Sequence, residues 1–353
     1  MIKAIELDQK IELIFTSPSV ERKVQQFYTK HPESIRYLRM PLLLDLRLSR
    51  WSKALGLIMC RYDFFPELLL LPTQKKVLAW ASLKGKSPSF WLKAVYKSFD
   101  LVIASTVEQT AALKNFTSQM PGIEVATYDF RPLQIRHRLK QSQIPQKLIE
   151  LINSQDKEDQ IIVGSAWEND FHLFDQLLKD PMNVHLWLAP HQLSTTSLEQ
   201  IKAYWKKHFP HIEVVSLNLK HLDSWPLEKL LQKKEQTTIW LLESPGILVE
   251  LYSLFNYVYV GGGFGRSIHS VLEPAVAGCK VCCGPKIHRS TEIDLVNELS
   301  PGQVSVVNTA SEFSTWWNSA HQTSKPLEDD KAFKAMENWI KKSDEIIGLT
   351  LAH

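Results

Sequence analysis

The stretch YVGGGFGRSIHSVLEPAVAG, residues 259–278, holds the densest set of side chains and backbone types suited to chemistry. Gly261, Gly262 and Gly263 close an apolar, strand-like NYVYV run, and Gly265 follows one residue later. Glycines let a backbone take positive φ or come close to a ligand. A helix beginning near Ser267 would add free N–H groups and a positive dipole end, both suited to a phosphate. The same glycines also suit a tight strand-to-helix turn, and on the residues alone both readings stand. The spacing GGGFG is not the dinucleotide fingerprint GxGxxG, and no P-loop Lys-Ser/Thr follows it. His269 and Glu273 are four apart and share one face of the expected helix, within reach of a base or sugar. A structural histidine and a first-turn charge are the competing explanation.

Elements that would position these residues recur along the chain. Short apolar, β-rich runs fall at 11–16, 57–60, 76–80, 101–104, 160–164, 185–189, 238–242, 257–261 and 281–283, with helical spacing between most of them. This alternation predicts an α/β protein whose parallel sheets are covered by helices on both faces. The polar segment 131–157 lacks strand character and reads as the hinge between two halves; DQIIVGSAWENDFHLFDQLL then opens a new strand, turn and helix. The expected domains are 1–140 and 158–330, followed by a C-terminal amphipathic helix at 331–353 carrying Phe333, Met336, Trp339, Ile340 and Ile347.

Composition bounds the function. With 353 residues, 44% hydrophobic and 22% charged, the chain is an ordinary globular protein of two-domain size. A net charge of +3 gives no polycationic surface for nucleic acid. Cys60, Cys279, Cys282 and Cys283 are too few for a disulfide framework, so a reducing compartment is expected. The CxxC at 279–282 has no second CxxC to complete a zinc site, and its β-rich context predicts buried thiols and no metal. The start, MIKAIELDQKIELIF, has no uninterrupted apolar run of a signal peptide, and no stretch is long enough to span a membrane.

The run ESPGILVELYSLFNYVYVGGGFGRSIHSVLEPAVAGCKVCCGP resembles the donor-binding region of the bacterial 3-deoxy-D-manno-octulosonic acid (Kdo) transferases, especially the subgroup with GGGFG followed by IHN and LE. FTSPSVERKV, CRYDFFPELL, FDLVIASTVEQTAAL and VGSAWENDF resemble further segments of that family, in the same order. The resemblance implies a GT-B glycosyltransferase, with two Rossmann-like domains facing each other across a cleft. Residues 1–140 would form the acceptor-side domain, apparently without its first strand, and 158–330 the donor-nucleotide domain. It implies CMP-Kdo as donor, a lipid A precursor as acceptor, inversion at the anomeric centre, and neither metal nor cofactor. It also implies a cytoplasmic protein in peripheral contact with the inner membrane. The N–H groups of Gly262 to Gly265 would meet the CMP phosphate, with Gly261 also in the donor site. Gly246 in SPGIL, Ser165 in VGSAWENDF, His269, Ser270 and Glu273 would complete the donor site. An N-cap pair explains Ser165 and Glu168 equally well.

Departures from the family pattern are informative. His191 and Gln192 stand where the family usually has Arg then His, so a fixed positive charge near the donor phosphate is lost. Ser270 replaces an Asn and Phe65 a Trp. The family's membrane-anchoring start and its Ser-Val-Gly-Glu-like turn, whose Glu is the implied base, are expected upstream of this chain's first residue. SPSVE at 17–21 lacks the Gly and aligns with the second strand. Truncation, another carboxylate as base, and loss of catalysis all remain open. Asp63, matching a family acid in the cleft, is the candidate catalytic base, with helix capping as its alternative role. IRYLRMPLLLDLRLSRWSKALG, with Arg47, Arg50 and Lys53 as well as Arg36 and Arg39, reads as an interfacial basic helix or as an ordinary core helix with a solvated face. The alternatives in function are a GT-B transferase using another nucleotide sugar, a non-catalytic nucleotide-sugar-binding relative, and an epimerase of the same architecture.

Overall fold

Parallel strands dominate the computed structural model, which describes residues 5–6, 8–40, 48–61, 64–83, 89–141, 143–179, 184–265, 267–288, 290–322 and 331–351. The strands are β1 (Ile11–Phe15), β2 (Ile35–Arg39), β3 (Gly56–Cys60), β4 (Lys75–Ala81), β5 (Leu101–Ala104), β6 (Glu124–Thr127), β7 (Gln160–Ala166), β8 (His185–Pro190), β9 (Glu213–Leu217), β10 (Thr238–Leu242), β11 (Tyr257–Val260), β12 (Lys280–Cys283) and β13 (Val304–Val306). The chain divides into two units, residues up to Asp129 together with those from Lys342, and Phe130–Lys341.

The first unit holds a two-stranded sheet, β1-β2, and a four-stranded sheet, β3-β4-β5-β6. The central strand β5, LVIA, is buried along its whole length, as parallel strands covered on both faces must be. Ile14 and Leu38 bring the small sheet onto the same core as Met59, Leu78, Val102 and Tyr96.

The second unit is built on a seven-stranded parallel sheet of order β13-β12-β11-β7-β8-β10-β9. TIWLL of β10 and YVYV of β11 are wholly buried, and Trp187 stacks on Trp240 with ring centroids 5.1 Å apart. After β7 the chain moves to β8 on one side, and after β11 it moves to β12 on the other. The neighbours β7 and β11 therefore flank the point where the winding reverses, and the crevice outside their carboxyl ends is where open parallel sheets bind ligands.

Several expectations are corrected. The segment 131–157 is not a bare hinge: it forms the helices Arg131–Lys140 and Gln146–Asn153, which belong to the second unit. Their polar residues face outward while Pro132, Ile135, Leu148, Leu151 and Ile152 are buried, so an amphipathic surface imitated a linker. The C-terminal segment is two helices, Lys331–Lys341 and Ser343–Leu351, divided between the units. The first buries Met336 and Trp339 in one core; the second buries Ile346 and offers Leu349 O to Lys75 Nζ at 2.6 Å in the other.

The basic segment starting at Ile35 is no continuous helix. Its start is strand β2, where Ile35 is buried and Arg36 pairs with Glu12 and lies 4.4 Å over the Trp51 ring. Arg39 faces Glu21 at 3.4 Å, and Arg50 and Lys53 are exposed at and beyond the short helix Leu48–Trp51. Arg47 lies outside the described residues. Among the described residues no helix is long and apolar enough to cross a membrane. Cys279, Cys282 and Cys283 are buried free thiols. Burial pushes the Cys283 thiol up to about 12, so these groups stay protonated and packed.

Candidate functional site

The residues gathered at the carboxyl edge of the second sheet come from the loops after β7, β8, β10, β11 and β12. Strand β7 ends in strain: Ser165 has φ 53°, a left-handed conformation costly for a residue with a side chain. This kink lets Gly261 pass so close that a Cβ there would lie 2.3 Å from Ser165 O. Gly262 itself has φ +95°, and a Cβ on Gly263 would lie 2.5 Å from Gly284 Cα. The glycines are thus required by backbone packing against β7 and the turn after β12.

The amides of Gly261, Gly262 and Gly265 find partners within the chain. Gly261 N–H extends the ladder to Gly164 O at 2.9 Å, and Gly265 N–H closes on Gly262 O at 3.0 Å. Gly262 N–H donates to Asp170 Oδ2 at 2.9 Å, and Phe264 N–H also donates to this carboxylate. Asp170 is fully buried and further accepts from Trp167 N at 3.1 Å and Tyr259 OH at 3.1 Å. Burial raises its carboxyl above the usual range, and these four hydrogen bonds pull in the opposite direction. The anion held by the glycine loop is therefore one of the chain's own side chains. Of the amides expected to seat a phosphate, those of Gly262, Phe264 and Gly265 are thus taken up within the chain.

The expected helix start near Ser267 is corrected as well. The helix runs Leu272–Ala277, six residues ended by Gly278 at φ 96°. Its first N–H groups are already served: Leu272 N donates to Glu292 Oε2 at 3.2 Å and Glu273 N to Ser270 Oγ at 3.4 Å. Ser270 Oγ also donates to Glu292 at 2.9 Å, and Arg131 balances that carboxylate at 3.2 Å. His269 precedes the helix, so it does not share a helical face with Glu273.

What faces outward is a layer of rings. Trp167 and His191 stack with centroids 4.5 Å apart, and His191 and His269 stack at the same spacing. Trp167 Nε1 donates to His269 Nε2 at 3.3 Å, which requires that nitrogen to be unprotonated. Burial, with the His191 ring beside it, holds the His269 imidazole below its usual value and favours this neutral form. His191 N–H donates to Ala166 O at 3.1 Å and so joins the edge of β8 to that of β7.

Glu273 is largely buried, among the charges of Glu292, Arg138 and Glu250. Burial, then the charges of Glu292 and Glu250, raise its carboxyl to about 7 against Arg138, which pulls it down. Arg138 grips Glu250 at 2.6 and 2.9 Å and Gly246 O at 2.8 Å, fixing the loop after β10, where Gly246 has φ +87°. Such a site offers flat rings for a base and a carboxyl near neutrality for sugar hydroxyls. Lys286 reaches Gly265 O with its ammonium and brings a cation to the glycine loop.

Ser165, His191, Gly246, Gly261, Gly262, Gly263, Gly265, His269, Ser270 and Glu273 thus all lie in the second unit, on or beside this edge. Asp63 lies outside the described residues, and Arg50 and Lys53 belong to the first unit. Trp167, Asp170, Arg138, Glu250 and Glu292 were not singled out from the sequence. Asp170, three residues after Trp167 in GSAWEND, carries the acid-at-N3 spacing of a capping box and was legible there.

The fold is that of the GT-B glycosyltransferases. The trehalose-phosphate synthases of Burkholderia multivorans (TM-score 0.51, 9% identity, 96% of this chain and 98% of theirs) and Burkholderia vietnamiensis (0.50, 10%, 98% and 100%) share the fold. The chain is also similar to 3-deoxy-D-manno-octulosonic acid transferase of Aquifex aeolicus (strain VF5), at 24% identity over 303 residues, 83% of this chain and 73% of that protein. The resemblance to the Kdo transferases therefore holds. No family model matches the chain.

Proposed function

We propose that this chain transfers Kdo from CMP-Kdo to a lipid A precursor, inverting the anomeric centre without a metal, in peripheral contact with the cytoplasmic side of the inner membrane. The observation that carries the reading is the ring layer Trp167, His191 and His269 at the winding reversal of a chain similar to a Kdo transferase, with the near-neutral Glu273 in the same unit. In this reading the cytosine stacks on the rings and Glu273 takes ribose hydroxyls. Leaving CMP carries its charge beside Lys286, which replaces the cation lost at His191. Asp63 is the proposed base that takes the proton from the acceptor hydroxyl.

The test supplies purified protein with CMP-Kdo and a tetraacylated lipid A precursor and measures product mass and released CMP. A gain of one Kdo with stoichiometric CMP is expected; neither gain nor release sinks the proposal. Lys286→Ala should weaken CMP binding roughly tenfold by calorimetry, for one charge-assisted contact. Asp63→Asn should keep CMP binding and lose transfer. A second reading, a GT-B transferase for another nucleotide sugar, is favoured by the stacked His191–His269 pair where the family usually carries an Arg. Turnover of a UDP-sugar and none of CMP-Kdo would establish it instead.

A further inference from the structure

On the first unit the helix Phe90–Tyr96 presents an apolar surface on both of its sides. Ser89 caps it, its Oγ accepting from Leu92 N at 3.1 Å, so Phe90 and Trp91 form the first turn. Tyr96 is buried, and Leu92 and Val95 pack on the core around Phe99 and Leu113. The inward face is therefore already satisfied. Phe90 and Trp91 nevertheless stand 80% and 77% exposed, edge to face at 6.1 Å, among the most exposed large apolar side chains of the described residues. Paired rings left in water at one turn mark a surface that something covers.

The charge around them names the occupant. The stretch 82–99, SLKGKSPSFWLKAVYKSF, contains four lysines and no Asp or Glu. Lys93 and Lys97 are exposed and follow Phe90 at three and seven residues, on the same helical face. Rings at the tip with lysines behind them fit a bilayer boundary. The rings enter beneath the headgroups, while the lysine stems lie along apolar surface and carry their ammonium groups to anionic phosphates.

We propose that Phe90, Trp91, Lys93 and Lys97 dock the first unit onto an anionic lipid surface. This rests on the proposed lipid-linked acceptor for its purpose but is tested apart from it. Arg36 and Arg39, by contrast, are paired with Glu12 and Glu21.

The experiment is flotation of the full chain with vesicles of phosphatidylcholine alone or with phosphatidylglycerol, at low and high salt. Binding to the anionic vesicles, weakened by salt, is expected. Lys93→Gln with Lys97→Gln should lower it about 25-fold, at roughly fivefold per lysine. Phe90→Ser with Trp91→Ser should lower it by at least about tenfold for the lost apolar burial, with an unchanged melting temperature because both rings are exposed. That double variant should still transfer sugar to an acceptor in detergent micelles, so loss of docking and loss of transfer are separable. Equal flotation of wild type and the ring variant overturns the proposal. So does equal binding to neutral and anionic vesicles. A chain that self-associates in sedimentation through Phe90 and Trp91 without binding lipid makes a second copy the occupant and also overturns it.

Discussion

Glu273→Gln should make the protein more stable at alkaline pH and leave it nearly unchanged in acid. In the fold the Glu273 carboxyl titrates at about 7, against 4.5 for an unperturbed one, because burial and the neighbouring Glu292 and Glu250 disfavour its charge. A carboxyl raised in the native state binds its proton more tightly there than in the unfolded chain. Stability is therefore greatest below pH 4.5 and falls as pH climbs toward 7 and just beyond. The difference corresponds to about 3 kcal/mol between pH 4 and pH 8 from this one side chain. Glutamine copies the protonated form and does not titrate, so the variant should gain 2 to 3 kcal/mol, roughly, at pH 8 and nothing at pH 4. Urea unfolding of both proteins at four pH values, with equal slopes, reads this directly. An equal difference at every pH, or a less stable variant at pH 8, refutes the burial argument. On the proposed function, in which Glu273 takes ribose hydroxyls, the same variant should also bind CMP more weakly.

Three further outcomes follow from the geometry. Gly263→Val should cost about 3 kcal/mol or more, since its Cβ meets the Gly284 backbone, whereas Gly265→Ala, whose nearest contact is 3.6 Å, should stay within about 1 kcal/mol. Equal melting temperatures for the two would contradict the packing role of the loop. Asp170→Ala should destabilise by about 3 to 5 kcal/mol by stranding buried donors, and Asp170→Asn by less, because one oxygen still accepts from Gly262 and Trp167; denaturant midpoints decide the order. Trp167→Ala should lower CMP affinity about tenfold or more in calorimetry while leaving the fold intact, and unchanged affinity would remove the rings from the site.

Every interior strand was legible in the sequence, as were the edge strands β1 and β3, and the strands that were missed are all at edges. β5, β7, β8, β10 and β11 are unbroken apolar runs because both of their faces are covered. β2, β6, β9 and β13, which no run betrayed, all lie at sheet edges, where IRYLR, EVAT, EVVSL and VSV mix polar with apolar residues because one side meets solvent. The helices of 131–153 were hidden for the same reason, since only one face of each is apolar.

The glycine loop shows a different limit. Residue type marked the place, because close packing and phosphate approach both demand an absent side chain. It did not mark which partner takes the amides, since Asp170 reaches Gly262 from 92 residues earlier. Two seats that would suit a phosphate, the loop and the start of the helix Leu272–Ala277, are filled by Asp170 and Glu292. In the proposed function a nucleotide at this edge is held by what those two carboxylates leave outward. They hold the loops in place, and the rings of Trp167, His191 and His269 and the Lys286 ammonium are the groups so presented. The carboxylates shape the surface on which recognition depends, and this is why removing Asp170 and removing Trp167 should differ in kind, one lowering stability and the other affinity.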